Sequence, residues 1–516
     1  MKIRPVAHRF CTVGFGAATL WALPVLANPP PDRPHILLFL VDDMGVMDTS
    51  VPFLTGADGA PARYPLNDFF HTPRMEQLAR QGIRFSQFYA NSVCSPSRVS
   101  LLTGQSSARH RVTNWIDPRT NNRGPHGPLA WRWGGLGSGD VTLPRLLQAA
   151  GYRTIHVGKG HFGPEGAEGA NPERVGFDVN IGGAAFGQPG SYYGKMNYRG
   201  PAPGFAHAVP NLEAYHGRDT FLTDALTLEA KKATEAAIRD GRPFFLHLAH
   251  YAVHAPFDRD PRFADRYLAS GKPGPAQSFA TLIEGMDRSL GDMLDHLKKL
   301  GVASDTLVIF LGDNGTDAPL GGPHDVACAA PLRGKKGSHY EGGVRVPLLV
   351  AWAETDPDNP HQRRLPIAQG GVQRQFASIC DLFPTILGLL DLKAPEGHAV
   401  DGHRLDRLFT GASDTSHPDE FLMHYPHGPH RSSYFTLLRH GDWKVIYHYR
   451  PSADSGGARY QLFNLGEDPF EQADLAGQEP DRLREMVRRM RERLEQYGAQ
   501  YPVGDDGTTP VPPILP

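Results

Sequence analysis

Three short runs of the chain are apolar along almost their whole length: residues 35–41 (HILLFLV), 243–250 (PFFLHLAH) and 306–311 (TLVIFL). A strand with one wet face alternates apolar and polar residues. An unbroken run fits a strand covered on both faces, as in a parallel sheet between two helical layers. Amphipathic helical segments lie between and around these runs. Met75, Leu78 and Ala79 share a face of 72–82. Leu143, Leu146 and Leu147 share one in 142–150, and Leu222, Ala225, Leu226 and Ala233 one in 220–238. Leu282, Met286, Leu290, Leu294 and Leu297 form a stripe along 278–300. This alternation predicts an α/β fold, a large sheet flanked by helices. Ligands of such sheets bind beyond the carboxyl ends of the strands, so the residues after each run carry the functional argument. The first run ends in Asp42-Asp43-Met44-Gly45 and the third in Gly312-Asp313-Asn314-Gly315; the second leads to His254. Adjacent acids repel and need a cation or a basic partner. Carboxylate and amide oxygens suit Ca²⁺ or Mg²⁺. One D-D-x-G is also a common solvated turn. A second acid–amide pair at another strand end favours a cation site made by Asp42, Asp43, Asp313 and Asn314.

Residues 93–102 read VCSPSRVSLL. Pro96 suits the first turn of a helix, where a backbone donor has no partner anyway. Cys94 is thereby expected at a helix N-terminus, where free N–H groups and the dipole favour an anion, with Arg98 one turn on. The plain alternative is a buried structural cysteine beside a surface arginine.

The pattern C-x-P-x-R followed by L-T-G (Cys94, Pro96, Arg98, then Leu102-Thr103-Gly104) resembles the active-site signature of the type I sulfatases. Further elements follow in that family's order. Gly158-Lys159-Gly160-His161 resembles G-K-x-H, with Gly160 where the family often has a bulky aromatic. His254 matches H-x-P-F. In 331–347 (PLRGKKGSHYEGGVRVP), an L-R-G-x-K pattern places the family's lysine on Lys336, with Lys335 a solvent-facing neighbour, and Glu341-Gly342-Gly343 fixing a turn. Residues 461–471 resemble the L-x-N-L-x-x-D-P-x-E element near sulfatase C-termini.

The resemblance implies an alkaline-phosphatase-like large mixed sheet flanked by helices, followed by a smaller C-terminal antiparallel sheet plus helix. It implies that a formylglycine-generating or anaerobic sulfatase-maturating enzyme oxidises Cys94 to formylglycine, whose hydrate is the nucleophile. It further implies a cation, Ca²⁺ in preference to Mg²⁺, held by Asp42, Asp43, modified Cys94, Asp313 and Asn314, with Asp313 taking the first proton. Arg98, Lys159 and Lys336 would neutralise sulfate, His254 or Lys336 protonate the leaving oxygen, and His161 remove the second proton. The substrate class implied is a sulfated carbohydrate attacked from a chain end, of galactose or N-acetylgalactosamine type. Two other readings compete: a phosphate or phosphonate monoester hydrolase of the same superfamily, and a non-catalytic sugar-binding protein with an unmodified thiol.

With 516 residues the chain is too long for one ordinary core. The expected division is a signal over 1–27, a catalytic unit over 28–415 and a smaller unit over 416–516. Lys2, Arg4 and Arg9 precede a mostly apolar stretch over 11–26 with a small residue, Ala27, at its end. This reads as a secretory signal, the alternative being a buried N-terminal helix. It gives an exported protein, in the bacterial periplasm or secreted. No later segment suits a membrane span, and a net charge of −2 argues against nucleic acid as partner. Cys328 and Cys380 are expected as unpaired thiols, though they could pair in an oxidising compartment.

Residues 111–215 are rich in Gly, Pro and aromatics (Trp115, Trp131, Trp133, Phe186, Tyr192, Tyr193, Tyr198), with Arg119, Arg123, Arg132 and His126 among them. They suit either a wall gripping a ring-shaped ligand or loops pinned to the body. His247 and His250 are expected to be strand-packed. His424, His427 and His430 could lean over the site or simply pack. Residues 377–390 read as a helix, 434–438 and 443–449 as paired strands, 480–497 as a charged helix, and the tail beyond 502 as unstructured.

Overall fold

The computed structural model describes residue 1 and residues 33–201, 206–428 and 430–516; the signal expected over 1–27 lies outside residues 33–516. The main sheet has eight strands: β1 (His35–Val41), β2 (Ile83–Phe85), β3 (Arg153–Gly158), β4 (Val179–Ile181), β5 (Phe244–His250), β6 (Thr306–Gly312), β7 (Leu348–Trp352) and β8 (Gly371–Gln373). Their spatial order is β4-β3-β5-β1-β6-β7-β2-β8. β4, β3, β5, β1 and β6 run parallel to one another, while β7 is antiparallel to both β6 and β2. The sheet is therefore mixed.

Period-two geometry explains the unbroken apolar run of β1. Leu37, Phe39 and Val41 face one layer, with α1 (Pro73–Gln81), α4 (Leu222–Arg239) and α5 (Gly274–Lys299). Ile36, Leu38 and Leu40 face the other, with α2 (Cys94–Thr103), α3 (Leu143–Ala149) and α6 (Leu382–Leu389). All seven residues of β1 are buried. Each fully buried Leu, Ile or Phe contributes about 1.5–3 kcal/mol relative to exposure.

A second sheet, β9 (Glu420–Tyr425), β10 (Phe435–His440), β11 (Trp443–His448) and β12 (Tyr460–Asn464), is an antiparallel meander in that order. One face carries α7 (Pro480–Tyr497) through Leu483, Met486, Val487, Met490 and Leu494. The other, with Phe421, Met423, Phe435 and Ile446, packs on Tyr89, Val93, Tyr340 and Val344 of the large unit.

Two expectations are corrected. Residues 377–390 are not one helix: Ala377–Ser378 pair with Phe88–Tyr89, and α6 begins only at Leu382. Asp381 is the cause. Its carboxylate accepts the Ser378 N–H (2.6 Å), the Ser378 hydroxyl (3.2 Å) and the His403 N–H (2.7 Å), which caps the segment there. The tail is ordered. Val503 N–H donates to His126 O, Val511 N–H to Pro502 O, and the Asp506 carboxylate accepts the Thr508 and Thr509 N–H groups to close the turn. Cys328 and Cys380 are free thiols.

Candidate active site

Parallel neighbours bring their carboxyl ends to one edge. Val41 lies opposite His250 and Gly312, and Gly158 opposite Ala249. Asp42, Lys159, the segment after His250 and Asp313 thus emerge together. The ladder continues past the strands: Asp42 N–H donates to Ala252 O (2.9 Å), Val253 N–H to Asp42 O (2.7 Å) and Asp313 N–H to Val41 O (3.2 Å). Asp43 and His161 both have left-handed backbone, φ 59°. For residues other than glycine this conformation is uncommon and collects at functional sites.

Three fully buried carboxylates face three buried cations here. Lys159 Nζ donates to both oxygens of Asp42 (2.8 and 2.7 Å). Arg98 Nε donates to Asp313 Oδ2 (2.8 Å) and Arg98 Nη1 to Lys159 O (2.8 Å). Lys336 Nζ donates to Asp43 Oδ2 (2.8 Å), and the Asn314 amide to Asp43 Oδ1 (3.0 Å). Asp313 Oδ1 accepts the Asp43 N–H (3.1 Å). Burial pushes the Asp42 carboxyl well above the usual carboxylate range, with Lys159 pulling the other way. Burial acts likewise on Asp43, but His254 and Lys336 outweigh it and hold that carboxyl below the usual range. The donor set fits a hard divalent cation. One ligand atom each of Asp42, Asp43 and His254 lie within 4.8 Å of one another, and Asn314 Oδ1 is buried with no hydrogen-bond partner.

Cys94 is the first residue of α2, after the extended Val93. Its Sγ lies 3.3 Å from His161 Nδ1. His161 Nε2 is 2.7 Å from Ile116 O. A carbonyl only accepts, so Nε2 carries the hydrogen and Nδ1 turns its lone pair toward Cys94. Burial and then Lys159 hold this imidazole well below its usual range, and hence neutral. Every residue of α2 is buried, and Gly104 ends it with φ 69°, where an added Cβ would meet Phe383 at 2.7 Å. Above Cys94 opens a cavity of about 510 Å³. His161, His254 and Lys336 line its base with Cys94; Trp115, Arg119, His207, Asp317, His430 and Arg431 line its walls.

The sulfatase family model matches residues 34–392. The chain belongs to the sulfatase family. It is 32% identical over 409 residues to N-acetylgalactosamine-6-sulfatase of Mus musculus, covering 76% of this chain and 68% of that one. It is 30% identical over 487 residues to arylsulfatase A of Homo sapiens, covering 86% and 83%. The crystal structure of Ps i-CgsB superposes with a TM-score of 0.69 at 25% identity, covering 90% of this chain and 93% of that one. The enzyme is therefore a sulfatase, a sulfuric ester hydrolase, with the alkaline-phosphatase-like fold.

In this sulfatase all the expected site residues converge on one sheet edge. Cys94, His161, His254 and Lys336 line the cavity, while Asp42, Asp43, Arg98, Lys159, Asp313 and Asn314 lie buried beneath it. Lys335 does not face solvent as expected; its ammonium lies 3.6 Å from Asp317, and its side chain is 12% exposed. Glu341 is buried and accepts from the Tyr89 hydroxyl and Lys444. The aromatic stretch divides. Trp115 and Arg119 reach the cavity, whereas Tyr192, Tyr193 and Tyr198 spend their hydroxyls on backbone carbonyls. Trp131 is buried against His427, and Arg132 pairs with Asp140. His430 leans over the site; His424 and His427 pack elsewhere, against Gln500 O and Thr113. His247 meets His156, and His250 meets Ser289, inside the fold. Sequence reasoning missed Asp317, His207 and Arg431. They sit on irregular connections, where no periodicity marks which side chain turns inward.

Proposed function

We propose that this sulfatase hydrolyses a sulfate ester at the end of a carbohydrate, of galactose or N-acetylgalactosamine type, after export to the periplasm or beyond. The observation that carries the reading is Cys94 at the N-terminus of α2, facing the His161 lone pair in a cavity floored by Lys336 and His254. Kinship with N-acetylgalactosamine-6-sulfatase supports the sugar. No helix among the described residues is long and apolar enough to cross a membrane. We place the catalytic unit in 28–415 and the smaller unit in 416–516.

Oxidised to formylglycine by a maturating enzyme, position 94 would supply a hydrated aldehyde as nucleophile; Asp42, Asp43, Asp313, Asn314 and position 94 would hold a Ca²⁺ ion, which would supply positive charge that lowers the hydrate's pKa. Asp313 stands to take the first proton. Arg98, Lys159 and Lys336 present preorganised positive charge to the sulfate oxygens, where a water-poor pocket magnifies its effect. Lys336, kept charged by Asp43 against the cost of burial, gives the leaving oxygen its proton; His254, 3.5 Å from the same carboxylate, is held at about 3 by burial and is the less suited of the two expected donors. His161, neutral and hydrogen-bonded through Nε2, accepts the second proton from position 94 on Nδ1.

The test is kinetic and chemical together. Purified enzyme is assayed on a panel of sulfated mono- and disaccharides alongside the matched phosphate esters, and the Cys94 peptide is weighed by mass spectrometry. Sulfate-selective turnover with an aldehyde at position 94 is expected. Faster phosphate hydrolysis, or binding without turnover by an unmodified thiol, would overturn it.

A further inference from the structure

Asp317 and Arg431 form an ion pair in the cavity wall, and none of the roles above uses it. Asp317 follows Asn314 by three residues, and its N–H donates to Asp43 O (3.3 Å). Arg431 comes from the connection between β9 and β10, in the smaller unit. Its guanidinium is bidentate: Nη1 to Asp317 Oδ1 at 2.5 Å and Nη2 to Oδ2 at 2.9 Å. Nη1 also lies 3.4 Å from Lys336 O. The carboxylate is nearly buried and the guanidinium side chain 29% exposed. Both residues line the cavity together with Cys94 and Lys336.

Burying such a pair costs desolvation that an apolar pair would avoid, so its presence in a cavity wall asks for a use beyond stability. Its chemistry is that of a hydroxyl receptor. A carboxylate accepts from a hydroxyl and a guanidinium donates to one, in a fixed fork. The pair adjoins Lys336, so a sugar whose sulfate met Lys336 would bring its nearest ring hydroxyls to this wall. Trp115 and His430, with ring centroids 6.2 Å apart, add aromatic surface to the same cavity. Because each partner already holds the other, little ordering is left to be done on binding.

We propose that Asp317 and Arg431 are specificity-determining residues that bind ring hydroxyls of the sulfated sugar, for a 6-sulfate the one on C4 nearest the ester. This rests on the sulfatase reading above and names how that site recognises its substrate class. The experiment compares kcat/KM for N-acetylgalactosamine 6-sulfate and galactose 6-sulfate with that for 4-nitrophenyl sulfate, which has no ring hydroxyls. It uses the full-length enzyme and its Asp317→Asn and Arg431→Lys variants. Losing a charge-assisted hydrogen bond is expected to lower the sugar-to-aryl ratio roughly 10- to 100-fold, mostly through KM. Arg431→Lys is included because it keeps the charge but loses the fork; its near-UV circular dichroism should match that of the parent. Equal falls on sugar and aryl esters, or an unchanged ratio, would overturn the proposal. So would a parent enzyme that turns over 4-nitrophenyl sulfate but neither sugar. Failure of the parent on every sulfate ester is a separate result, visible before any substitution, and would remove the sulfatase mechanism and this inference with it.

Discussion

At position 94 a sulfur atom, a helix start and a neutral imidazole meet. Cys94→Ala is expected to abolish turnover, by at least about 10³-fold as for loss of a covalent nucleophile, while melting within a few degrees of the parent. Full retained activity would refute the mechanism. Arg98 is the opposite kind of residue. It is wholly buried and meets Asp313 at 2.8 Å and Asp42 at 3.6 Å. Arg98→Ala strands the Asp313 carboxylate, while Asp42 keeps Lys159, and should cost about 3–5 kcal/mol, read as a lowered denaturation midpoint. The carboxylates also make a prediction without mutagenesis. Dialysis against a chelator should lower the melting temperature, and Ca²⁺ should restore it; a melting curve indifferent to both would dispose of the cation site. These residues were legible in the sequence because each directly follows a strand or opens a helix, where position is dictated by the element. Asp317 and Arg431 were not, since they hang on connections whose path is set by contacts far away in sequence.

At the scale of elements, α2 is both core and active-site scaffold. Leu101 and Val99 are wholly buried, and Leu101→Ala should cost about 2–5 kcal/mol. Gly104→Ala adds a left-handed alanine and a contact with Phe383 at 2.7 Å, so it should destabilise by about 1–3 kcal/mol. Thermal melts of the two variants check both figures. Element reading from sequence succeeded where local signals agreed. Residues 480–497 carry Pro480 at the start and a left-handed Gly498 at the stop, and the helix has those bounds. It failed at 377–390, where apolar spacing looked helical but the Asp381 side chain redirected the first turn. It failed again in the tail, where composition suggested no structure but Asp506 and a docking surface at His126 supplied one.

Across the whole molecule, a buried ion group ties the second sheet to the segment that precedes β7. Lys444 of β11 lies 3.0 Å from Glu341 and 2.7 Å from Glu471, all three nearly inaccessible. Burial pushes the Glu471 carboxyl up to about 7. Lys444→Met should cost about 3–5 kcal/mol, and adding Glu471→Gln should recover part of it; no recovery in the double variant would show that lost packing, not stranded charge, is responsible. Acid sensitivity also belongs to this scale. Burial holds His35 at about 4, and His110, His156 and His250 at about 3, against an ordinary 6.5. Between those values and 6.5 the unfolded chain binds protons that the folded one refuses, so stability rises with pH through that window and is lost as pH falls. Each group adds up to about 1.4 kcal/mol per pH unit. Chemical denaturation at pH 7 and pH 5 should show the drop, and a flat profile would contradict it.

The central strand serves two masters. Its odd residues are owned by one helical layer and its even residues by the other, so inserting or deleting a single residue within it would turn every side chain to the wrong side. The acids at its tip thus cannot drift. Chemistry is locked to the frame, whereas the connections above it, Asp317 and Arg431 among them, can change without shifting those acids.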